Sequence, residues 1–339
     1  MTPAPAPIAE WRDLDAARFH AEIVPRYEPA VLRGVADAWP AVRAGRESAR
    51  VACAYLAGFD RGAEVEAFIG PPEIGGRFFY SPDMKGFNFQ RRKGRLGDVL
   101  RYVERLPEQD NPPAVYVGAA AVPDCLPGFA AQNPFPLLDG RNAVPRIWLG
   151  NESVVSTHFD QSDNIAVVAA GRRRVTLFPP DQLPNLYVGP LDHTMAGQPA
   201  SMVDLRNPDI ERYPRFREAL AAARTVELEP GDGLYIPALW WHNIEALSPF
   251  NMLVNFWWDD APPGAAAPFE AMVHALLALG DLPPERRAAW RTMFAHYGFR
   301  EHGDPAAHLV PEHRGILGAP TPQLRDRIRQ FLLRGLGRR

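Results

Sequence analysis

Proline fills 36 of the 339 positions, about twice the ~5% usual in proteins. It has no amide hydrogen to donate and a fixed φ, so helix interiors and central strands exclude it, while turns and strand edges accept it. A chain this rich in proline does not suit a bundle of long helices. It calls for short elements joined by many turns, in a β-containing fold of one large domain or two ordinary ones.

The spacing of apolar residues between about 114 and 258 agrees. AVYVG (114–118), RIWLG (146–150), NIAVVAA (164–170), RRVTLF (173–178), RTVELE (224–229), GLYIP (233–237) and NMLVNFWW (251–258) read as strands separated by Gly, Pro, Asp and Asn turns. No helical segments alternate with them, which predicts a mainly β core of sandwich or jelly-roll type. Ahead of this core, Asp15 is placed to cap a short helix in which Phe19 and Ile23 share a face. PAVLRGVADAWPAV begins extended and runs into a turn, and residues 91–106 read as a helix with Leu96, Val99, Leu100, Val103 and Leu106 on one side. After the core, 268–279 and 285–297 have helical spacing. Thr321 and Pro322 open a last helix with Leu324, Ile328, Phe331 and Leu332 in one stripe. The expected organisation is a disordered tail over 1–10, a β-core domain with an N-terminal α/β elaboration over 11–262, and a helical region over 263–339.

A net charge of −3 with no long block of arginines gives no footprint for nucleic acid. No apolar stretch approaches the ~20 residues of a membrane span, and the start MTPAPAPIAEW lacks the pattern of a signal peptide. A cytoplasmic protein is expected. The two cysteines, Cys53 and Cys125, have no neighbour at metal-ligand spacing and read as buried thiols.

The strongest local feature is Thr157-His158-Phe159-Asp160. Residues two apart on an extended segment point the same way, so His158 and Asp160 can offer an imidazole and a carboxylate side by side. His242, in LWWHNIEAL, is the best third ligand. Two histidines and one carboxylate leave three positions of an octahedral metal open, which suits non-haem iron(II). The histidine–carboxylate pair alone is a weak signal that a surface strand also produces. The combination is stronger because, of nine histidines, only these two lie within the expected β core.

A second feature is independent of the first. Arg173 shares parity with Val175 and Leu177 and therefore points inward, away from Arg174 and Thr176. A buried guanidinium needs an anion. That anion is either a protein carboxylate or one end of a dicarboxylate whose other end chelates the metal. Trp240, Trp241 and Trp257 could wall such a site or simply fill the core.

The run IWLGNESVVSTHFDQSDNIAVVAAGRRRVTLFPPDQ, followed by VDLRNPDIERYPRF, GDGLYIPALWWHNIEAL and VNFWW, resembles the Jumonji-C/cupin-like oxygenases. The likeness is to the branch related to the asparaginyl hydroxylase factor-inhibiting HIF, and it covers roughly residues 28 to 260. It implies a double-stranded β-helix that uses iron(II), 2-oxoglutarate and dioxygen to hydroxylate a C–H bond, with succinate and carbon dioxide as co-products. It implies His158, Asp160 and His242 as iron ligands, and Asn164 and Asn255 near the chelating end of 2-oxoglutarate. Tyr116 and Arg173 would lie at the distal carboxylate, where the relative has lysine in place of Arg173. Val155 stands where the relative has a threonine that binds the same carboxylate, so Thr176 or water would have to replace its hydrogen bond. The resemblance also implies a homodimer through the C-terminal helices. The substrate is left open among a protein, a peptide and a small molecule. The competing reading is a metal-binding cupin that is not an oxygenase, such as an isomerase or a carboxylate-binding barrel.

Overall fold

The computed structural model describes residues 7–262, 265 and 267–337. Contacts divide the chain into two compact units, Met1–Asp259 and Asp260–Arg339.

In the first unit the strands are β1 (Ala9–Trp11), β2 (Ala30–Leu32), β3 (Glu64–Gly70), β4 (Arg77–Phe78), β5 (Gln90–Arg95), β6 (Ala114–Ala121) and β7 (Pro145–Gly150). They continue with β8 (Ser153–His158), β9 (Asp163–Ala170), β10 (Arg173–Phe178), β11 (Arg224–Leu228), β12 (Gly233–Ile236), β13 (Trp241–Ala246) and β14 (Asn251–Trp258). One sheet has the order β1-β2-β12-β9-β14-β7-β6-β3-β5 and the other β11-β10-β13-β8-β4. From β7 onward most steps along the chain cross from one sheet to the other. Helices α1 (Pro40–Glu47), α2 (Ala49–Ala57) and α3 (Leu96–Arg105) belong to the N-terminal part, and α4 (Phe216–Ala222) precedes β11.

The seven strands expected from the sequence are present within a residue or so, except that β6 runs on to Ala121. Helices take a larger share than a mainly β chain implies, because the N-terminal part folds as helices laid on the larger sheet. Its middle strands are consequently covered on both faces. Ile165, Val167 and Ala169 of β9 join Met252, Val254 and Phe256 of β14 in a core with Trp39, Val42 and Leu56 from the helical side. Asn164 and Ala166 of β9, with Leu253, Asn255 and Trp257 of β14, face the opposite way into a cavity between the sheets. A strand buried on both faces reads as a continuous apolar run, as NIAVVAA does.

Three expectations need correction. The tail over 1–10 ends earlier: Ile8 is buried, and β1 pairs in parallel with β2, while residues 1–6 lie outside the described residues. The helix expected over 91–106 begins only at Leu96, since Gln90–Arg95 pairs antiparallel with β3 as the edge of the larger sheet. Its run of basic side chains suits an exposed edge, where charge opposes pairing with another chain. Strands β8 and β13, absent from the sequence reading, line the second sheet around the cavity.

The second unit contains α5 (Pro268–Leu279), α6 (Pro284–Met293), which passes into a wider turn over Phe294–Gly298, and α7 (Pro322–Leu336). Thr321 caps α7 by accepting from the Leu324 amide at 3.1 Å. No residue of α5, α6 or α7 is buried. Leu276, Leu277, Trp290, Phe331 and Leu333 are all exposed large apolar side chains. No helix among the described residues is long and apolar enough to cross a membrane.

Helix α1 approaches the larger sheet closely through Gly45, where an added Cβ would lie 2.0 Å from the Ala169 carbonyl oxygen and 2.7 Å from the Ala170 Cβ. Neither neighbour is a flexible side-chain end, so backbone must shift. Gly45→Ala is expected to lower stability by about 1–3 kcal/mol. Chemical denaturation checks this, and an unchanged midpoint would show that the helix can move away freely.

Candidate metal centre

His158 is the last residue of β8, and His242 is the second of β13, directly opposite it in the antiparallel ladder. The ring centroids are 4.3 Å apart. Asp160 lies just past the end of β8, in the turn before β9, and not within a strand. Its Oδ2 is 3.6 Å from His242 Nε2. One candidate ligand atom from each of the three residues lies within 4.8 Å of the other two. The sequence pattern therefore converges on a single spot.

The surroundings set these groups in a ligating state. His158 Nδ1 is 2.9 Å from the Ser156 carbonyl oxygen, and His242 Nδ1 is 3.0 Å from that of Trp240. A carbonyl can only accept, so each Nδ1 carries the proton and each Nε2 is left with a lone pair. This is the backbone support that metal-binding histidines commonly have. Burial, reinforced by the neighbouring His242, pushes His158 down from 6.5 to about 4, which keeps it neutral and able to ligate. Asp160 Oδ2 accepts from Asn164 Nδ2 at 3.1 Å and from Trp257 Nε1 at 2.9 Å. Asn255 donates to Asn164 Oδ1 at 3.2 Å and accepts from Trp148 Nε1 at 2.6 Å. Two tryptophans and two asparagines thus form a relay that ends on the carboxylate.

Arg173, the first residue of β10, is buried in the same cavity, which also contains Tyr116, Val155 and Ile244. Its Nε has no hydrogen-bond partner, and no ion pair to it is present among the described residues. The alternative of a protein carboxylate is therefore not met. Desolvation lowers its pKa from 12.5 to about 10, so it remains a cation at neutral pH. Tyr116 is buried beside it and its hydroxyl is pushed upward by desolvation, which keeps it a neutral donor.

Val155 and His158 are three residues apart, an odd spacing that would put them on opposite faces of a regular strand. The ladder shows how both reach the cavity. His242 pairs with His158 and Ile244 with Val155, so β8 uses three steps where β13 uses two. This is a β-bulge, a device that re-aims side chains next to functional sites. Thr176 cannot replace the hydroxyl missing at Val155. It faces the other way, with its Oγ1 3.1 Å from that of Thr225.

Of the tryptophans considered as a wall, only Trp257 reaches the cavity. Trp240 packs with Val175 and Leu234, and Trp241 with Phe178 and Phe216. The donors Trp148 and Trp257 were missed as such. Parity was the available signal for Trp257, which is two residues from Asn255, whereas Trp148 comes beside Asn255 only through the pairing of β7 with β14. The loop around Met195 and Ala200, which helps line a wider outer cleft that shares Tyr116, His158 and Asp160 with the cavity, carried no signal in the sequence.

A cupin-like domain model matches residues 16–263. The chain belongs to the cupin-like domain family. The chain is 35% identical over 113 residues to a protein named lysine-specific demethylase JMJ31 from Arabidopsis thaliana, covering 33% of this chain and 20% of the relative. It is 33% identical over 146 residues to tRNA wybutosine-synthesizing protein 5 from Gallus gallus, covering 39% and 43% respectively. Against human HSPB1-associated protein 1 it is 31% identical over 160 residues, covering 46% and 32%. The chain thus spans less than half the length of each of these three relatives.

The depressed pKa of His158 has a signed consequence. An unfolded chain takes up this proton below about 6.5, whereas the folded chain resists until about 4. The metal-free cupin-like domain should therefore lose stability as pH falls through that window. The melting temperature between pH 7 and pH 4.5 should drop less steeply in His158→Gln than in the wild type. Parallel slopes would show that the imidazole does not titrate this way.

Proposed function

We propose that the chain is a mononuclear iron(II), 2-oxoglutarate-dependent oxygenase that hydroxylates a C–H bond of a protein, peptide or small-molecule substrate. The observation that carries the reading is an unpaired, buried Arg173 sharing one cavity with the His158–Asp160–His242 cluster. A cation without a protein partner in a desolvated site is costly. A dicarboxylate spanning from the cluster to the arginine removes that cost. The crossing of strands between the two sheets is read as a double-stranded β-helix.

The donor set fits iron(II): two neutral imidazoles and a carboxylate, with positions left for other ligands. Bound there, the metal would supply the coupled oxidation in which dioxygen converts 2-oxoglutarate to succinate and carbon dioxide and one oxygen atom enters the substrate. The chain's own residues do the rest. Arg173 and Tyr116 receive the distal carboxylate, the first by charge and the second by donating its hydroxyl proton. Asn164 and Trp257 hold the Asp160 carboxylate against rotation, and Asn255 with Trp148 holds Asn164. Phe68, Phe78 and Trp148 line the outer cleft through which a substrate would enter. A carboxylate-binding cupin without oxygenase chemistry would also use Arg173 and Tyr116, and it is separated from this reading by whether succinate forms from 2-oxoglutarate with iron(II) in air.

Removing Arg173 should raise the 2-oxoglutarate concentration needed for half-maximal succinate formation by about a hundred-fold or more, the usual result of leaving a desolvated carboxylate unpaired. Arg173→Lys should be much milder. Tyr116→Phe should cost about 1 kcal/mol, the worth of one net hydrogen bond. Metal affinity should stay near wild type in all three, while His158→Ala, Asp160→Ala and His242→Ala should each abolish turnover. Succinate release titrated against 2-oxoglutarate decides, and wild-type behaviour of Arg173→Ala would remove the anchor from the reading.

The exposed apolar side chains of α5, α6 and α7 are further read as the contact between two copies of the chain. Light scattering at micromolar concentration should give a dimer, and a chain ending near residue 262 should give a monomer. A monomeric full-length chain would sink this part of the reading.

A further inference from the structure

We propose that Asp163 is a positioning residue of the metal centre: it ties the turn that carries Asp160 to the turn that leads into His242. The inference rests on the metal reading above and extends it to a group outside the ligand set and its relay.

The need for such a tie follows from where Asp160 sits. Strand β8 ends at His158 and β9 begins at Asp163, so residues 159–162 lie outside both ladders. Ladder hydrogen bonds fix His158 and His242, but not Asp160. A ligand has to be held within about half an ångström of its working position. The relay from Asn164 and Trp257 restrains the carboxylate, while the backbone beneath it needs its own support.

That support comes from residues 235–239. The Leu239 amide donates to the Asp160 carbonyl oxygen at 2.8 Å. Asp163 Oδ1 accepts from the Tyr235 hydroxyl at 3.0 Å and from the Ala238 amide at 3.2 Å. Three bonds thus join residues 160–163 to residues 235–239, more than seventy positions away in sequence, and each segment has one ligand within it or three or four residues beyond it. The turn being held has one bond of its own, from the Trp240 amide to the Pro237 carbonyl oxygen at 3.2 Å, and it closes over a strained residue. Leu239 has φ +65° with its side chain exposed, a left-handed backbone that a leucine adopts only under outside constraint. From the far side, the Tyr27 hydroxyl donates to the Ala238 carbonyl oxygen at 2.5 Å, and Trp240 Nε1 donates to the Tyr27 carbonyl oxygen at 3.0 Å. Tyr235 is itself fixed by stacking on Trp258. Asp163 therefore bonds both to a rigid element, β12, and to the strained turn after it.

The test is a titration of the metal-free full chain with Co(II), read by its visible absorption and by calorimetry. Losing a supporting group typically weakens metal binding 10–100-fold. Asp163→Ala should show a weakening in that range and an altered Co(II) spectrum. Asp163→Asn retains the acceptor oxygen and should stay within about threefold of wild type. Tyr235→Phe removes one of the two donors without disturbing packing and should weaken binding in the same direction by less, which keeps the test decisive if Asp163→Ala does not fold. Unchanged affinity and spectrum in Tyr235→Phe and in a folded Asp163→Ala would overturn the proposal and leave the metal reading standing. A wild-type chain that takes up no Co(II) would overturn the metal reading and this proposal with it.

Discussion

The structure depends on two neighbouring strands, β9 and β14, that must satisfy different solvents on their two faces. One set of alternate residues, including Ile165, Val167, Val254 and Phe256, is buried against helices. The other set places Asn164, Asn255 and Trp257 in the cavity. Because side-chain direction alternates strictly along a strand, a slip of one residue would drive asparagines into the helix-covered core and valines into the site. The unmet cost of burying those amides enforces the register as firmly as the apolar packing does. Chemistry and core are therefore specified by the same hydrogen-bond ladder.

The approach of α1 at Gly45 follows from the same constraint. A helix that covers the outer face closely must leave no void over the small residues Ala169 and Ala170, and only glycine lets its backbone come near enough. The helical cover keeps water from the outer face, and the second sheet keeps it from the inner one. Arg173 and Tyr116 are consequently desolvated enough for their ionisation to shift.

Most of the core was legible in the sequence because its strands are either continuously apolar or cleanly alternating. The strands that were not legible are instructive. Gln90–Arg95 has the composition of a solvated edge and merges, in sequence, with the helical pattern that starts at Leu96. SVVSTH and WHNIEA mix polar and apolar residues without a period, because both carry candidate ligands and one contains a bulge. For the candidate site, parity alone located Arg173, and the short His–x–Asp spacing pointed to Asp160 even though that residue lies beyond the strand. Trp148 as a donor and Asp163 as a brace could not be read from one sequence, since both roles depend on partners distant along the chain. The misplaced hope for Thr176 has the same origin: its parity was known, but the face across from it became visible only with Thr225 in place.

The bulge in β8 makes the length of one short stretch matter more than its letters. Between Val155 and His158 the chain inserts a single surplus residue, and the buried hydroxyls of Ser156 and Thr157 find no partner there. Their identities could drift. Their number is tied to the bulge: flattening it with both residues kept would turn either the valine or the imidazole out of the cavity, whereas losing one residue together with the bulge would leave both side chains on one face. Descendants of this chain should therefore vary freely in spelling at these two positions, and a one-residue gap there should travel with the loss of the bulge, a signature that resides in gaps rather than in matches.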